Sequence, residues 1–189
     1  MVRLEKHAAL EQLDADRRAD AGLVKCAMCR LIEPDRVETL VFAAEHAVVV
    51  LDEYAATEGH LLIILRQHAE SVAQLDWPMY SSVARLVWEA QGVLEAVLRP
   101  ARVYTATLGA ARELPMSFPH HHVHVIPVYE TDERARPAHV FSWSSGVTRY
   151  EPGEAAALVA RLRRAWPRVA PGIPARSGAG FTERAPPSG

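Results

Sequence analysis

Apolar positions change their period several times along the chain, and each change marks an element. Residues 3–21 put Leu4, Ala8 and Leu13 on one helical face among charged residues, which predicts an N-terminal helix closed by Gly22. Residues 23–33 follow and carry both cysteines. Residues 39–43 and 47–51 are apolar and β-branched around Ala44-Glu45-His46, and predict a strand pair with a short turn. Residues 59–65 contain the unbroken apolar run Leu61-Leu62-Ile63-Ile64-Leu65, the mark of a strand buried on both faces. A short helix is expected over 71–75. From Pro78, Val83, Leu86, Val87, Ala90, Leu94, Val97 and Leu98 recur at the helical period. Pro78 suits a first helical turn and Pro100 stops the helix. Strands are expected over 102–108, 121–126 and 139–143, with a polar stretch over 129–136 and a last helix over 154–165. No segment recurs at a fixed period. The order predicts an α+β chain with a mainly antiparallel sheet of about five strands, a long packed helix and a C-terminal helix.

Composition narrows the picture. Of 189 residues, 49% are hydrophobic and 23% charged, which excludes wholesale disorder. The net charge is -2, so no broad basic footprint for a nucleic-acid duplex is expected, while a small phosphate site remains compatible. No apolar run reaches membrane-spanning length, and residues 1–18 lack a signal-peptide core, so a cytoplasmic protein is expected. Residues 171–189 are rich in Gly, Pro, Ser and Arg and read as a disordered tail. The expected organisation is an N-terminal helical extension over 1–22, a domain over 23–168 and a tail over 169–189.

Four of the nine histidines fall within five residues: His120, His121, His122 and His124. On a strand, His120, His122 and His124 share one face, while His121 and Val123 take the other. Three neighbouring imidazoles are costly to bury and costly to charge together unless they bind or react with something. Such a row can present one nitrogen as a nucleophile while its neighbours hold phosphate oxygens. A purification tag would sit at a terminus. A helical arrangement with His120 and His124 as i, i+4 metal ligands is disfavoured by the β-branched run and Pro127. Cys26-Ala27-Met28-Cys29 has the spacing of a zinc knuckle, a redox pair or two buried thiols; the βαβ setting of a redox pair is missing.

The run His120-His121-His122-Val123-His124-Val125-Ile126 resembles the signature of the histidine triad (HIT) family, His-x-His-x-His followed by two apolar residues, with His121 where an apolar residue is usual. Val50-Leu51-Asp52, Gly59-His60-Leu61-Leu62-Ile63-Ile64 and His68 are similar to the family's strand–loop–strand segment, and Cys26-x-x-Cys29 to a pair found in many bacterial members. The resemblance covers about residues 26–166 and implies a HIT-like fold. It also implies attack by His122 on the α-phosphorus of a nucleotide, with His124 steadying the phosphate or leaving group and His120 orienting the site or binding metal. Asp52 matches the carboxylate that holds the ribose hydroxyls, and Ser117 a phosphate-contacting hydroxyl. His60 is expected to be structural. Met116 stands where many members carry Gln, and no Asn aligns in residues 108–116.

In metal-binding members the ligands correspond to Cys26, Cys29, His68 and His120, so the resemblance implies a closed, structural Zn2+ site. The expected partners are a purine nucleotide substrate and a second copy of the chain, with the long helix and the 102–108 strand near the interface of a homodimer. Neither a membrane nor a nucleic acid is an expected partner. The expected activity is hydrolysis of a nucleoside phosphoanhydride or phosphoramidate, such as a dinucleoside polyphosphate or an adenylated amine. A phosphorylase or nucleotidyltransferase would share the same intermediate. A non-catalytic, zinc-stabilised nucleotide-binding module would not need an intact His122.

Overall fold

The continuous apolar run predicted to be buried on both faces is the middle strand of the molecule. In the computed structural model, which describes residues 1–20, 26–33, 38–109 and 118–169, Leu61–Leu65 forms β4, buried along its whole length. Two earlier strands, β2 (Leu40–Ala43) and β3 (Ala47–Leu51), and two later ones, β5 (Arg102–Ala106) and β6 (His122–Val128), complete a five-stranded sheet of order β2-β3-β4-β6-β5. Every neighbouring pair is antiparallel. The predicted α+β class and strand number are therefore observed.

Alternation along the strands sorts the two faces. Val49, Leu51, Leu61, Ile63, Leu65, Val123 and Val125 pack with two helices, α3 (Trp77–Leu98) and α5 (Glu154–Val169), in the main core. Each Leu or Ile buried there contributes about 1.5–3 kcal/mol. The buried Glu89 carboxylate joins the two helices, accepting hydrogen bonds from Arg85 Nε at 2.8 Å and Trp166 Nε1 at 3.1 Å. Asp76 caps α3 by accepting from Met79 N–H, with Pro78 in the first turn. The opposite face carries Val48, Val50, Leu62 and Ile64, packed with Cys26 and Met28 around the short helix α2 (Ala27–Leu31). Farther along that face, Ile126 and Val128 pack with Ala135 and Val140 of a segment that includes α4 (Pro137–Phe141). Two five-residue helices thus cover the two ends of one face.

Four local expectations are corrected. Residues 139–143 do not form a strand: Pro137 opens α4, and its single-turn helix buries Val140. The N-terminal helix α1 runs Lys6–Asp20, because residues Val2–Leu4 form β1, antiparallel to β7 (Val147–Arg149). β6 continues past Ile126 through Pro127, which lies beyond its last β4 partner and pairs only with β5. There the missing N–H leaves no gap in the ladder. The expected short helix over 71–75 is a 3₁₀ turn, Val72–Gln74. Gly22, Ser117, the rest of the 110–117 stretch and residues 170–189 lie outside the described residues.

Candidate active site

Strand register puts His122 opposite Ile64 and His124 opposite Leu62, so both point to the face away from α3 and α5. His120 lies just before β6 and is 1% exposed. His121 is buried as well, and its backbone N–H donates to Ala69 O. The parity expected from sequence therefore holds for His122, Val123 and His124.

The imidazole nitrogens are used in a definite way. His122 Nδ1–H donates to the His120 carbonyl at 2.7 Å, which leaves the His122 Nε2 lone pair unused. His124 Nδ1 lies 3.0 Å from His60 Nε2, and His60 Nδ1 lies 3.0 Å from Asp52 Oδ2. His60 Nδ1 also has Ala56 N–H at 3.3 Å; with the Asp52 carboxylate ionised, the shorter, charge-assisted contact places the proton on Nδ1, so that His60 donates to Asp52 and accepts from His124. The Nε2 atoms of His122 and His124 have no protein partner among the described residues, and their ring centroids are 4.8 Å apart. Two adjacent nitrogens, each fixed from behind, thus present lone pairs in front: one can attack an electrophilic centre, and the other becomes a donor to an oxyanion once it takes a proton.

Burial keeps this cluster neutral. It holds His122 below the ordinary histidine range, countered by its bond to the His120 carbonyl and by the Asp52 charge. His124 is lowered further, by burial and then by His60 and His122. Burial also lowers His60 to about 3, and raises the Asp52 carboxyl to about 6 against the hydrogen bond from Tyr54 N–H and the charges of His122 and Arg149. Neutral imidazole is the nucleophilic form. His60, expected to be a structural histidine, is buried and stands between Asp52 and His124. Its position eight residues after Asp52, on the turn ended by Gly59, was the available signal. Gly59 adopts φ +84°, a left-handed conformation that other residues rarely take, in the turn that leads into His60.

At the other end of the face, four donor atoms from Cys26, Cys29, His68 and His120 lie within 4.8 Å of one another. His120 Nε2–H donates to Leu65 O at 2.9 Å, turning the Nδ1 lone pair toward Cys26 Sγ at 3.5 Å and Cys29 Sγ at 3.4 Å. His68 Nδ1 is 3.5 Å from Cys29 Sγ. A tetrahedral zinc with typical bond lengths would separate sulfur from nitrogen by about 3.6 Å, so the spacing fits a metal ion better than a set of ordinary hydrogen bonds. Burial and the neighbouring Cys26 push the Cys29 thiol up to about 11; a bound divalent cation would reverse this. The donor set predicted from sequence is therefore assembled. Asp52 lies beside the triad, its Oδ1 accepting from Tyr54 N–H at 3.0 Å. Ser117 lies outside the described residues.

Comparison with known proteins agrees with this geometry. The model of the HIT domain matches residues 33–131. A 16.1 kDa HIT-like protein from Mycoplasma pneumoniae is 32% identical over 106 residues, covering 56% of this chain and 73% of its own. The protein hit of Bacillus subtilis is 26% identical over 104 residues, covering 55% and 71%. Among solved structures, a Zn-bound histidine triad family protein from Mycobacterium smegmatis superposes with a TM-score of 0.59 at 17% identity, over 76% of this chain and 94% of that one. A hypothetical histidine triad nucleotide-binding protein from Sulfolobus tokodaii gives 0.58 at 23% identity, over 76% and 93%. In sequence, and with a fold to match, the chain belongs to the histidine triad family.

Proposed function

We propose that the chain is a nucleotide hydrolase acting through a nucleotidyl-histidine on His122. The observation that carries this reading is the pair of free Nε2 atoms on His122 and His124, each backed by a hydrogen bond at Nδ1. His122 Nε2 attacks the α-phosphorus of a nucleoside phosphoanhydride or phosphoramidate. The bond from phosphorus to the leaving oxygen or nitrogen breaks, and the leaving atom takes the electron pair and a proton from His124 Nε2–H. An anionic phosphate supplies the countercharge that draws this proton onto His124 beforehand. In the second step neutral His124 takes a proton from water, water oxygen bonds to phosphorus, and the N–P electron pair returns to His122. Splitting one displacement into two lowers the barrier of each.

Asp52 and His60 orient His124 and offer the ribose a carboxylate. Ser117 is proposed as a further phosphate contact, and His120 as the residue whose carbonyl fixes the His122 tautomer. Cys26, Cys29, His68 and His120 fit a Zn2+ ion as a closed four-ligand site. Its contribution would be folding energy, fastening α2 and His120 to the sheet. A homodimer is supported by the open edge of β5 and by Trp88 of α3, 49% exposed. The domain is proposed to span residues 23–168, in a cytoplasmic protein with a purine nucleotide as substrate. No described helix is long and apolar enough to cross a membrane.

The test is incubation with a diadenosine polyphosphate and with adenosine 5′-phosphoramidate, with products resolved by chromatography. Release of adenosine 5′-phosphate from either supports the reading; binding of both without turnover contradicts it. Metal analysis of untagged protein should find one zinc per chain, lost in Cys26→Ser with Cys29→Ser. Sedimentation at micromolar concentration tests the dimer, which a monomer would refute.

A further inference from the structure

The segment after β6 returns to the triad. Residues 132–149 follow the part of the chain matched by the HIT model, yet Phe141 of α4 stands edge-on to His124, with ring centroids 6.2 Å apart and planes at 80°. Phe141 also meets Tyr104 of β5 at 6.4 Å, and Tyr104 OH donates to Ala135 O at 2.8 Å. Ala135 and Val140, packed on Ile126 and Val128, hold the segment against the site face. Phe141 and Trp143 are only partly buried.

Trp143 takes φ +57°, a left-handed conformation that bulky residues rarely adopt, and stacks on Tyr54 at 6.3 Å. Tyr54 in turn donates its N–H to Asp52. Across the sheet, Asp52 follows β3, the triad lies on β6 and Tyr104 lies on β5. In-line attack by His122 puts the leaving atom on the opposite side of the phosphorus, toward His124 and the Phe141 ring that stands edge-on to it.

We infer that Phe141, flanked by Tyr104 and Trp143, forms a leaving-group subsite that selects a flat aromatic group over a small one. An edge-on aromatic partner in a half-open setting favours another ring by shape and quadrupole, and offers little to ammonia or an alkyl amine. The subsite rests on the hydrolase reading above.

Two substrates separate it from that reading: adenosine 5′-phosphoramidate, which releases ammonia, and the corresponding phosphoro-naphthylamidate, which releases an aromatic amine. For Phe141→Ala, kcat/KM on the naphthylamidate should fall about 10-fold, the equivalent of about 1.4 kcal/mol, mainly through KM. On the phosphoramidate it should stay within about two-fold. Phe141→Leu keeps an apolar packing group and should lose the same preference; Phe141→Trp should retain it. Thermal melts check that each variant folds. An unchanged preference in Phe141→Leu would overturn the subsite while the hydrolase reading stood. So would equal losses on both substrates, which would make Phe141 a support for His124. Wild-type protein that turned over neither substrate would overturn the hydrolase reading and the subsite with it.

Discussion

The helices α2 and α4 have the same length and sit on the same face of the same sheet, but different forces hold them. A helix of five residues does not form alone, because nucleation costs more than one or two hydrogen bonds return. Helix α4 is held by Val140 and Phe141 against Ile126, Val128 and Tyr104. Helix α2 has Met28 and Leu31 against the sheet, with its two cysteines converging on His68 and His120. One end has non-directional apolar contact alone, while the other adds to such contact four donor atoms that converge on one point. The directional end also fixes chemistry, since His120 uses one nitrogen toward the cysteines, the other toward Leu65 O, and its carbonyl toward His122.

The largest expected effect comes from the residue between the two ends. His122→Asn should slow turnover by about 1,000-fold or more, the equivalent of roughly 4 kcal/mol of barrier, and leave nucleotide binding nearly intact. His121→Asn should retain most of the activity of a folded protein. Next is the metal end. Cys26→Ser with Cys29→Ser should abolish zinc binding and reduce turnover by about 10–100-fold, because His120 loses the partners of its Nδ1. In hydrogen exchange the Arg30 amide, bonded to Cys26 O, should lose its protection while the Val140 amide, bonded to Arg136 O, keeps its own; equal loss at both would erase the contrast between the ends.

Acid should weaken the middle of the face. His60 is lowered to about 3 by burial and by His122. Above its unfolded pKa of about 6.5 both states are neutral and its contribution is intact. As pH falls through that value the unfolded chain takes a proton that the folded protein refuses, so stability drops by about 1.4 kcal/mol per pH unit, down to about pH 3. His124, also lowered, adds to this slope. Asp52, raised to about 6 by burial and facing His60, His122 and Arg149, opposes it as pH falls from about 6 to about 4. The balance between His60, His124 and Asp52 is a net loss of stability on acidification. Melting curves from pH 7 to pH 5 should show it, with a shallower slope in His60→Asn. The smallest effect is at the apolar end, where Val140→Ala should cost about 1 kcal/mol with zinc content unchanged.

The same contrast explains what could be read in advance. Cys26-x-x-Cys29 and the triad announce themselves because thiolates and imidazoles carry chemistry wherever they occur. Leu61–Leu65 reads as a buried strand from its period alone. The donor set also needed His68, far from the cysteines in the chain, and only the resemblance supplied it. Residues 139–143 misled, because His139-Val140-Phe141 is β-prone locally and a helix only through Pro137 and the burial of Val140. The link from Asp52 through His60 to His124 was not legible either, because it depends on the turn at Gly59 and the register of β4 with β6. Nothing at Phe141 or Trp143 forms a motif; their place beside the triad is a product of tertiary packing.

The central claim is that phosphorus becomes bonded to His122. The most direct measurement mixes the protein with substrate labelled in its nucleotidyl group, quenches in alkali, where a phosphorus–nitrogen bond persists, and maps the label by mass spectrometry. The label should sit on His122 and be absent in His122→Asn. A label on His121, His124 or a cysteine, or normal turnover by His122→Asn, would contradict the account.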